Sequence, residues 1–304
     1  MLSEEQLQQR TNGIGGSEVS IILGLNPWKT PLQLYMEKIG ELEPVDLTGN
    51  QNVHFGNVLE DVIAQEYARR NNVKVRRRNS AINFPGRGWA FANVDRTIDG
   101  QKTVLECKSA DKWTSDKWGD DGTDQAPDYY LTQVVWYMKA LNYPQSVIAV
   151  LIGGNDFRQY PIERSPGLED MVYRKAKEFW FNHVLARNPP EPTNDSDLAL
   201  MYARDNGDAL VASEEIEKEV YQLSILKYQV KALNKQIDEK KFLIEEFMAE
   251  YSCLLNGEND LIVTHKKTKD GTRFNAKRFQ KAMPNLAKEY SEHKKGHRVF
   301  LLKV

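Results

Sequence analysis

The chain has 304 residues, enough for about two domains with a sizeable apolar core. Its hydrophobic share is 40% and its charged share 28%, and no run reaches the roughly 18 to 20 apolar residues that a membrane-spanning helix needs. The composition therefore excludes a transmembrane class, and the two cysteines, Cys107 and Cys253, exclude a disulfide framework or a cysteine-rich zinc site. The start, Met1-Leu2-Ser3-Glu4-Glu5, has neither the basic nor the apolar segment of a secretory signal, which predicts a cytoplasmic protein. The net charge of −2 is unevenly spread: residues 261–304 hold twelve Lys or Arg against Asp270, Glu289 and Glu292, +9 against −11 for the remainder. Such a module is either a contact for a polyanion or a solvated surface.

In chain order, Gly13-Ile14-Gly15-Gly16 reads as a turn that feeds Ser17 at a helix N-terminus. Free amides and the helix dipole favour a phosphate there, and an ordinary N-cap is the alternative. Helical spacing around 57–70 places Glu60 on a helix whose apolar face is Leu59, Val62, Ile63 and Tyr67. Arg69, Arg70, Lys74, Arg76, Arg77 and Arg78 form an acid-free run, suited to backbone phosphates or to a solvated strand edge. Strands are expected near 73–84 and 90–98, then a turn at Asp99-Gly100 and a strand from Thr103 to Lys108. In the irregular segment 113–127, Trp113 and Trp118 could stack a base, but Asp120, Asp121 and Asp124 repel DNA. A helix over about 128–142 carries Gln133 and Tyr137 one turn apart, followed by strands at 146–152 and 157–162. Ser165-Pro166 opens a helix to about 187, in which Met171, Tyr173, Phe179, Trp180 and Phe181 read as core.

Pro189, Pro190 and Pro192 mark a domain edge, dividing the chain into residues 1–192, a linker 193–212, and residues 213–304. Ser213 caps a long helix with Ile216, Val220, Leu223, Val230, Leu233, Ile237 and Ile244 at near-helical spacing. Lys227, Asn234 and Lys241 interrupt a strict heptad, so an amphipathic helix packed on its own chain or on a partner is expected. Turns at Asn256-Gly257 and Asp270-Gly271 complete a small basic α+β module. His293 and His297 have no third ligand and do not predict zinc.

Asp95, Glu106 and Lys108 carry the most chemical information. Residues two apart in a strand share a face, so Glu106 and Lys108 project together while Cys107 faces away. A paired strand lies about 4.8 Å off, within reach of Asp95. Two carboxylates so placed raise each other's pKa unless a cation neutralises them, and hard oxygen donors suit Mg²⁺ or Mn²⁺. Glu-x-Lys alone is weak, occurring also at Glu239 and Glu292. The example at Glu106 differs because its charges sit inside an apolar strand, where an unpaired charge is costly. A structural salt bridge between Asp95 and Lys108 is the alternative.

Gly13-Ile14-Gly15-Gly16-Ser17-Glu18-Val19, Gly56-Asn57-x-x-Glu60, Asp95, Glu106-Cys107-Lys108 and Gln133-x-x-x-Tyr137 together resemble the YqaJ-type viral recombinases. These are relatives of lambda exonuclease within the PD-(D/E)xK nuclease superfamily. The resemblance covers about residues 8–190, with Val94 and Arg96 in place of the proline and glycine that often flank the family aspartate. It implies an α/β fold with a central mixed sheet flanked by helices, to which the long helix and basic module are appended. It further implies one or two Mg²⁺ ions, or Mn²⁺, on Asp95 and Glu106, with Glu60 and the Cys107 carbonyl as further ligands. Lys108 would orient or deprotonate the attacking water, or neutralise charge on the phosphorane oxygens; Gln133 would help to position that water or Lys108, and Arg10 and Ser17 would bind a DNA 5'-phosphate. The implied activity is 5'-to-3' degradation of linear double-stranded DNA to mononucleotides, leaving a 3' single strand for recombination. A ring-shaped trimer and a single-strand annealing partner belong to the same implication. An endonuclease of structure-specific or restriction type, and a non-catalytic DNA-binding scaffold, are the rival readings.

Overall fold

The computed structural model describes residues 10–78, 80–294 and 296–303, and the chain divides into two compact units between Met201 and Tyr202. Among its described residues the first unit has seven strands: Val75–Arg77 (β1), Ile82–Phe84 (β2), Arg87–Ala92 (β3), Arg96–Ile98 (β4), Thr103–Ala110 (β5), Gln145–Ile152 (β6) and Asp156–Glu163 (β7). Five form a mixed sheet in the order β1-β4-β5-β6-β7, and β2 and β3 pair separately. All neighbours are antiparallel except β5 and β6. A parallel step needs a crossover, and the helix Asp128–Leu141 supplies it.

The helices of this unit are Gly16–Ile22 (α1), Pro31–Lys38 (α2), Gln51–Asn71 (α3), Asp128–Leu141 (α4), Pro166–Glu178 (α5) and Asp195–Met201 (α6). From Phe179 to Leu185 the chain continues α5 as a π-helix. Strand alternation sorts β5 between two apolar layers. Leu105 and Cys107 cluster with Ile63, Ala64 and Tyr67 of α3. Val104 lies in the larger cluster with Val134, Trp136 and Met138 of α4. Glu106 and Lys108 therefore project on the α4 side.

Three expectations are revised. The strand expected over 90–98 is interrupted at Asn93-Val94-Asp95, so Asp95 sits in a bend immediately before β4 and not within a strand. The strand expected over 73–84 is two strands in different sheets. The segment expected as a linker contains α6, anchored within the first unit by Asp197. That carboxylate is fully buried and accepts from Thr30 Oγ1 at 2.7 Å and from the Thr193 amide at 2.9 Å.

The second unit holds Glu214–Met248 (α7), the antiparallel strands Cys253–Leu255 (β8) and Leu261–Thr264 (β9), and the short helices Ala276–Ala282 (α8) and Pro284–Glu289 (α9). Ser213 caps α7, its Oγ accepting from the Ile216 amide. At 35 residues, α7 extends about 52 Å, and Met248 is its one buried residue. Among the described residues no helix is long and apolar enough to cross a membrane.

The Gly13–Gly16 turn is clamped to this core. The Ile14 amide donates to the Trp89 carbonyl at 2.7 Å, and the Phe91 amide donates back to Ile14. A Cβ at Gly13 would lie 2.6 Å from the Trp89 carbonyl oxygen, and one at Gly16 would lie 2.4 Å from the Tyr137 ring. Overpacking of this kind costs about 1–3 kcal/mol. Gly13→Ala is expected to lower the urea midpoint correspondingly, whereas Gly154→Ala, with open space around it, reports only the strain of its positive φ.

Candidate active site

The turn and the first helix bring Arg10 and Ser17 together. Arg10 Nη2 donates to Ser17 Oγ at 3.2 Å. Gly15 is the N-cap of α1, and its amide donates to Glu18 Oε2 at 2.9 Å. Glu18 in turn pairs with Lys38 at 2.7 Å, and the Lys38 ammonium also donates to the Gly13 carbonyl at 2.7 Å and to that of Arg10. This buried ammonium, which nothing in the sequence marked, fixes the backbone that carries Arg10 and Ser17.

Glu106 stands at the centre of the sheet, 1% exposed. Its Oε1 accepts from Lys108 Nζ at 2.6 Å and from Gln133 Nε2 at 2.7 Å. Its Oε2 is buried with no hydrogen-bond partner. The β4–β5 register pairs Arg96 with Leu105, which brings Asp95 level with Glu106, and Asp95 Oδ2 accepts from the Cys107 amide at 3.0 Å. Lys108 Nζ also lies 4.9 Å from the centroid of the Tyr130 ring, a cation–π contact. Tyr130 precedes Gln133 by three residues on α4, and that spacing was the available signal for it. Gln133 Nε2 donates a second bond, to Tyr137 Oη at 2.8 Å. Since Gly16 lies against the Tyr137 ring, one chain of contacts runs from the glycine turn through Tyr137 and Gln133 to Glu106.

Glu60 is placed differently. It projects from α3, and its Oε1 accepts from Arg96 Nη1 at 2.6 Å. The replacement of glycine by Arg96 thus does more than alter the local turn. The Cys107 thiol lies in the α3-side cluster, away from Glu106, leaving only its backbone on the carboxylate side. Among the described residues, no three His, Cys, Asp or Glu side chains stand together as ligands of one ion. The centre as built is a pair of carboxylates, Asp95 and Glu106, with one ammonium.

Burial pushes the Asp95 and Glu106 carboxyls above their ordinary range, and Asp95 pushes Glu106 further, although Lys108 opposes both shifts. Burial disfavours the Lys108 charge, but Glu106 and Asp95 outweigh it and its pKa is raised. Two mutually repelling carboxylates with an orphaned buried oxygen are the donor set that a hard divalent cation satisfies, so these residues fit the Mg²⁺ that the sequence implies. In protein freed of divalent ions, the native state keeps protons on Asp95 and Glu106 that the unfolded chain loses above about pH 4. Stability from these groups is present at low pH and lost as pH rises through their raised values. In EDTA, melting temperatures are expected to fall between pH 5.5 and 8 more steeply for the wild type than for Glu106→Gln. Parallel profiles would show that the carboxylate pair is not strained.

Residues 5–143 match the YqaJ-like viral recombinase domain. The YqaJ protein of Bacillus subtilis (strain 168) is 37% identical over 265 residues, which cover 84% of this chain and 82% of that protein. Two crystal structures of an alkaline exonuclease, LHK-Exo from Laribacter hongkongensis, share the fold. One superposes with a TM-score of 0.50 at 16% identity, and the other, in complex with dAMP, with a TM-score of 0.50 at 17% identity. Each superposition covers 61% of this chain and 94% of that one. The mixed sheet and its flanking helices are thus a fold shared with these exonucleases, and on sequence the chain belongs to the YqaJ-like viral recombinase family.

Proposed function

We propose that this chain is a Mg²⁺-dependent exonuclease that degrades linear double-stranded DNA from the 5' end, releases mononucleotides and leaves a 3' single strand for recombination. The observation that carries the reading is the Asp95–Glu106–Lys108 centre, with one carboxylate oxygen buried and unpaired. Asp95 and Glu106 would hold the ion. When bound, Mg²⁺ lowers the pKa of water and stabilises the charge of an in-line phosphodiester displacement.

The chain's own residues divide the remaining work. Gln133 and Lys108 both bond Glu106 Oε1, which would leave the unpaired Oε2 free for the ion. Lys108, held protonated by its two carboxylate neighbours, acts as a fixed positive charge beside the scissile phosphate and not as a base. Removing such a charge costs about 10²–10³ in rate. Arg10 and Ser17 offer a guanidinium and a hydroxyl to a terminal 5'-phosphate, on backbone fixed by Lys38. A mononucleotide product agrees with dAMP as the ligand of the LHK-Exo complex. On the edge strand β1, Arg76 and Arg77 alternate across the sheet, and Arg76 pairs with Asp99 at 3.0 Å; Arg78 lies just beyond, its amide donating to the Asp95 carbonyl at 3.4 Å, and such exposed cations suit contacts to a phosphate backbone. A trimeric assembly and an annealing partner complete the proposal.

Incubation with Mg²⁺ on linear duplexes labelled at either end, beside a covalently closed circle, tests it. The 5' label is expected to appear first as mononucleotide, with the circle intact. A nicked or linearised circle would identify an endonuclease, and binding without any cleavage a scaffold. Lys108→Ala is expected to lower cleavage about 10²–10³-fold while DNA affinity in EDTA changes little. Duplexes with 5'-phosphate are expected to be cut faster than those with 5'-hydroxyl, and Arg10→Ala to erase that preference. Equal rates on the two ends would remove the role given to Arg10 and Ser17.

A further inference from the structure

Strand alternation puts Arg96 on the α3 side of the sheet, paired with Leu105 of β5 and Arg77 of β1. Its side chain is only 3% exposed. Nη1 donates to Glu60 Oε1 at 2.6 Å and to the Asp95 carbonyl at 2.9 Å, and Nη2 donates to Asp61 Oδ1 at 3.2 Å. One guanidinium thereby joins α3 to the bend that presents Asp95. A guanidinium keeps its charge at every working pH and its planar fork fixes its geometry. For Glu60 to turn toward an ion it would have to leave a charge-assisted bond and strand a buried cation.

We propose that Arg96 is a built-in cation that stands where a second metal ion would engage Glu60, restricting the centre to one divalent ion on Asp95 and Glu106. The proposal rests on the nuclease reading above. Arg96 is a positioning residue in this scheme: it holds Glu60 out of the ligand set and ties the Asp95 bend to α3.

Binding of Mn²⁺ to the metal-stripped full chain, followed by calorimetry and by the electron paramagnetic resonance of free Mn²⁺, tests this without reference to cleavage. The wild type is expected to bind one Mn²⁺ per chain. Glu60→Gln is expected to change that affinity by no more than about twofold, well below the roughly 10–100-fold cost of losing even an outer partner of a metal ligand. Arg96→Gly is expected to bind a second Mn²⁺, with Glu60 released to it. If Arg96→Gly fails to fold, the wild-type stoichiometry and the Glu60→Gln affinity decide the matter. Two ions on the wild type, or a tenfold loss with Glu60→Gln, would overturn the role of Arg96 while leaving the nuclease reading intact. A wild type that binds no Mn²⁺ would overturn the nuclease reading itself, and this inference with it.

Discussion

A carboxylate buried in the middle of a sheet, with one oxygen saturated and the other unpaired, is an expensive thing for a fold to hold, because desolvation disfavours the charge that makes it useful. Glu106 is held there by a lysine two residues along the same strand and a glutamine from the helix above it. Much of the surrounding architecture is arranged around this contact. The β4–β5 register brings Asp95 level with it, and α4 lies across the same face, so the Gln133 amide reaches the oxygen that Lys108 already occupies.

The opposite face of the sheet solves a related problem by different means. There α3 brings two more carboxylates close to the same strands, and Arg96 answers them directly. One Arg96 nitrogen bonds both Glu60 and the Asp95 carbonyl, so the carboxylates of α3 are closed by a permanent cation while Asp95 and Glu106 beside them are left short of positive charge. That asymmetry, more than the number of acidic residues, distinguishes the reactive face from the structural one.

The sequence made part of this legible. Period-two alternation in Thr103–Lys108 placed Glu106 and Lys108 on one face, and the Asp99-Gly100 turn placed Asp95 within reach, because both are local consequences of strand geometry. The position of Asp95 in a bend was not legible, since nothing in Asn93-Val94-Asp95 breaks a strand pattern. Glu60 was assigned to the right helix, but its partner depends on the depth at which α3 crosses β4, which is a packing property. Arg96 was visible as a departure from the family pattern, yet its reach across the sheet could not be read from one letter. Lys38 gave no signal at all: it lies on a short amphipathic helix, where a lysine ordinarily points to solvent.

The crossover between β5 and β6 has a further consequence, one of timing. Parallel neighbours cannot be joined by a hairpin, so the 34 residues between them must close a long loop before the ladder rewards it. The helix in that loop carries Gln133, Tyr130 and Tyr137, and the centre acquires its helix-borne partners in the same event that completes the sheet. A nascent chain that has not made this closure holds Glu106 and Lys108 on a strand with no neighbour beyond it. The long-range pairing of β5 with β6 therefore also completes the contacts that hold Glu106.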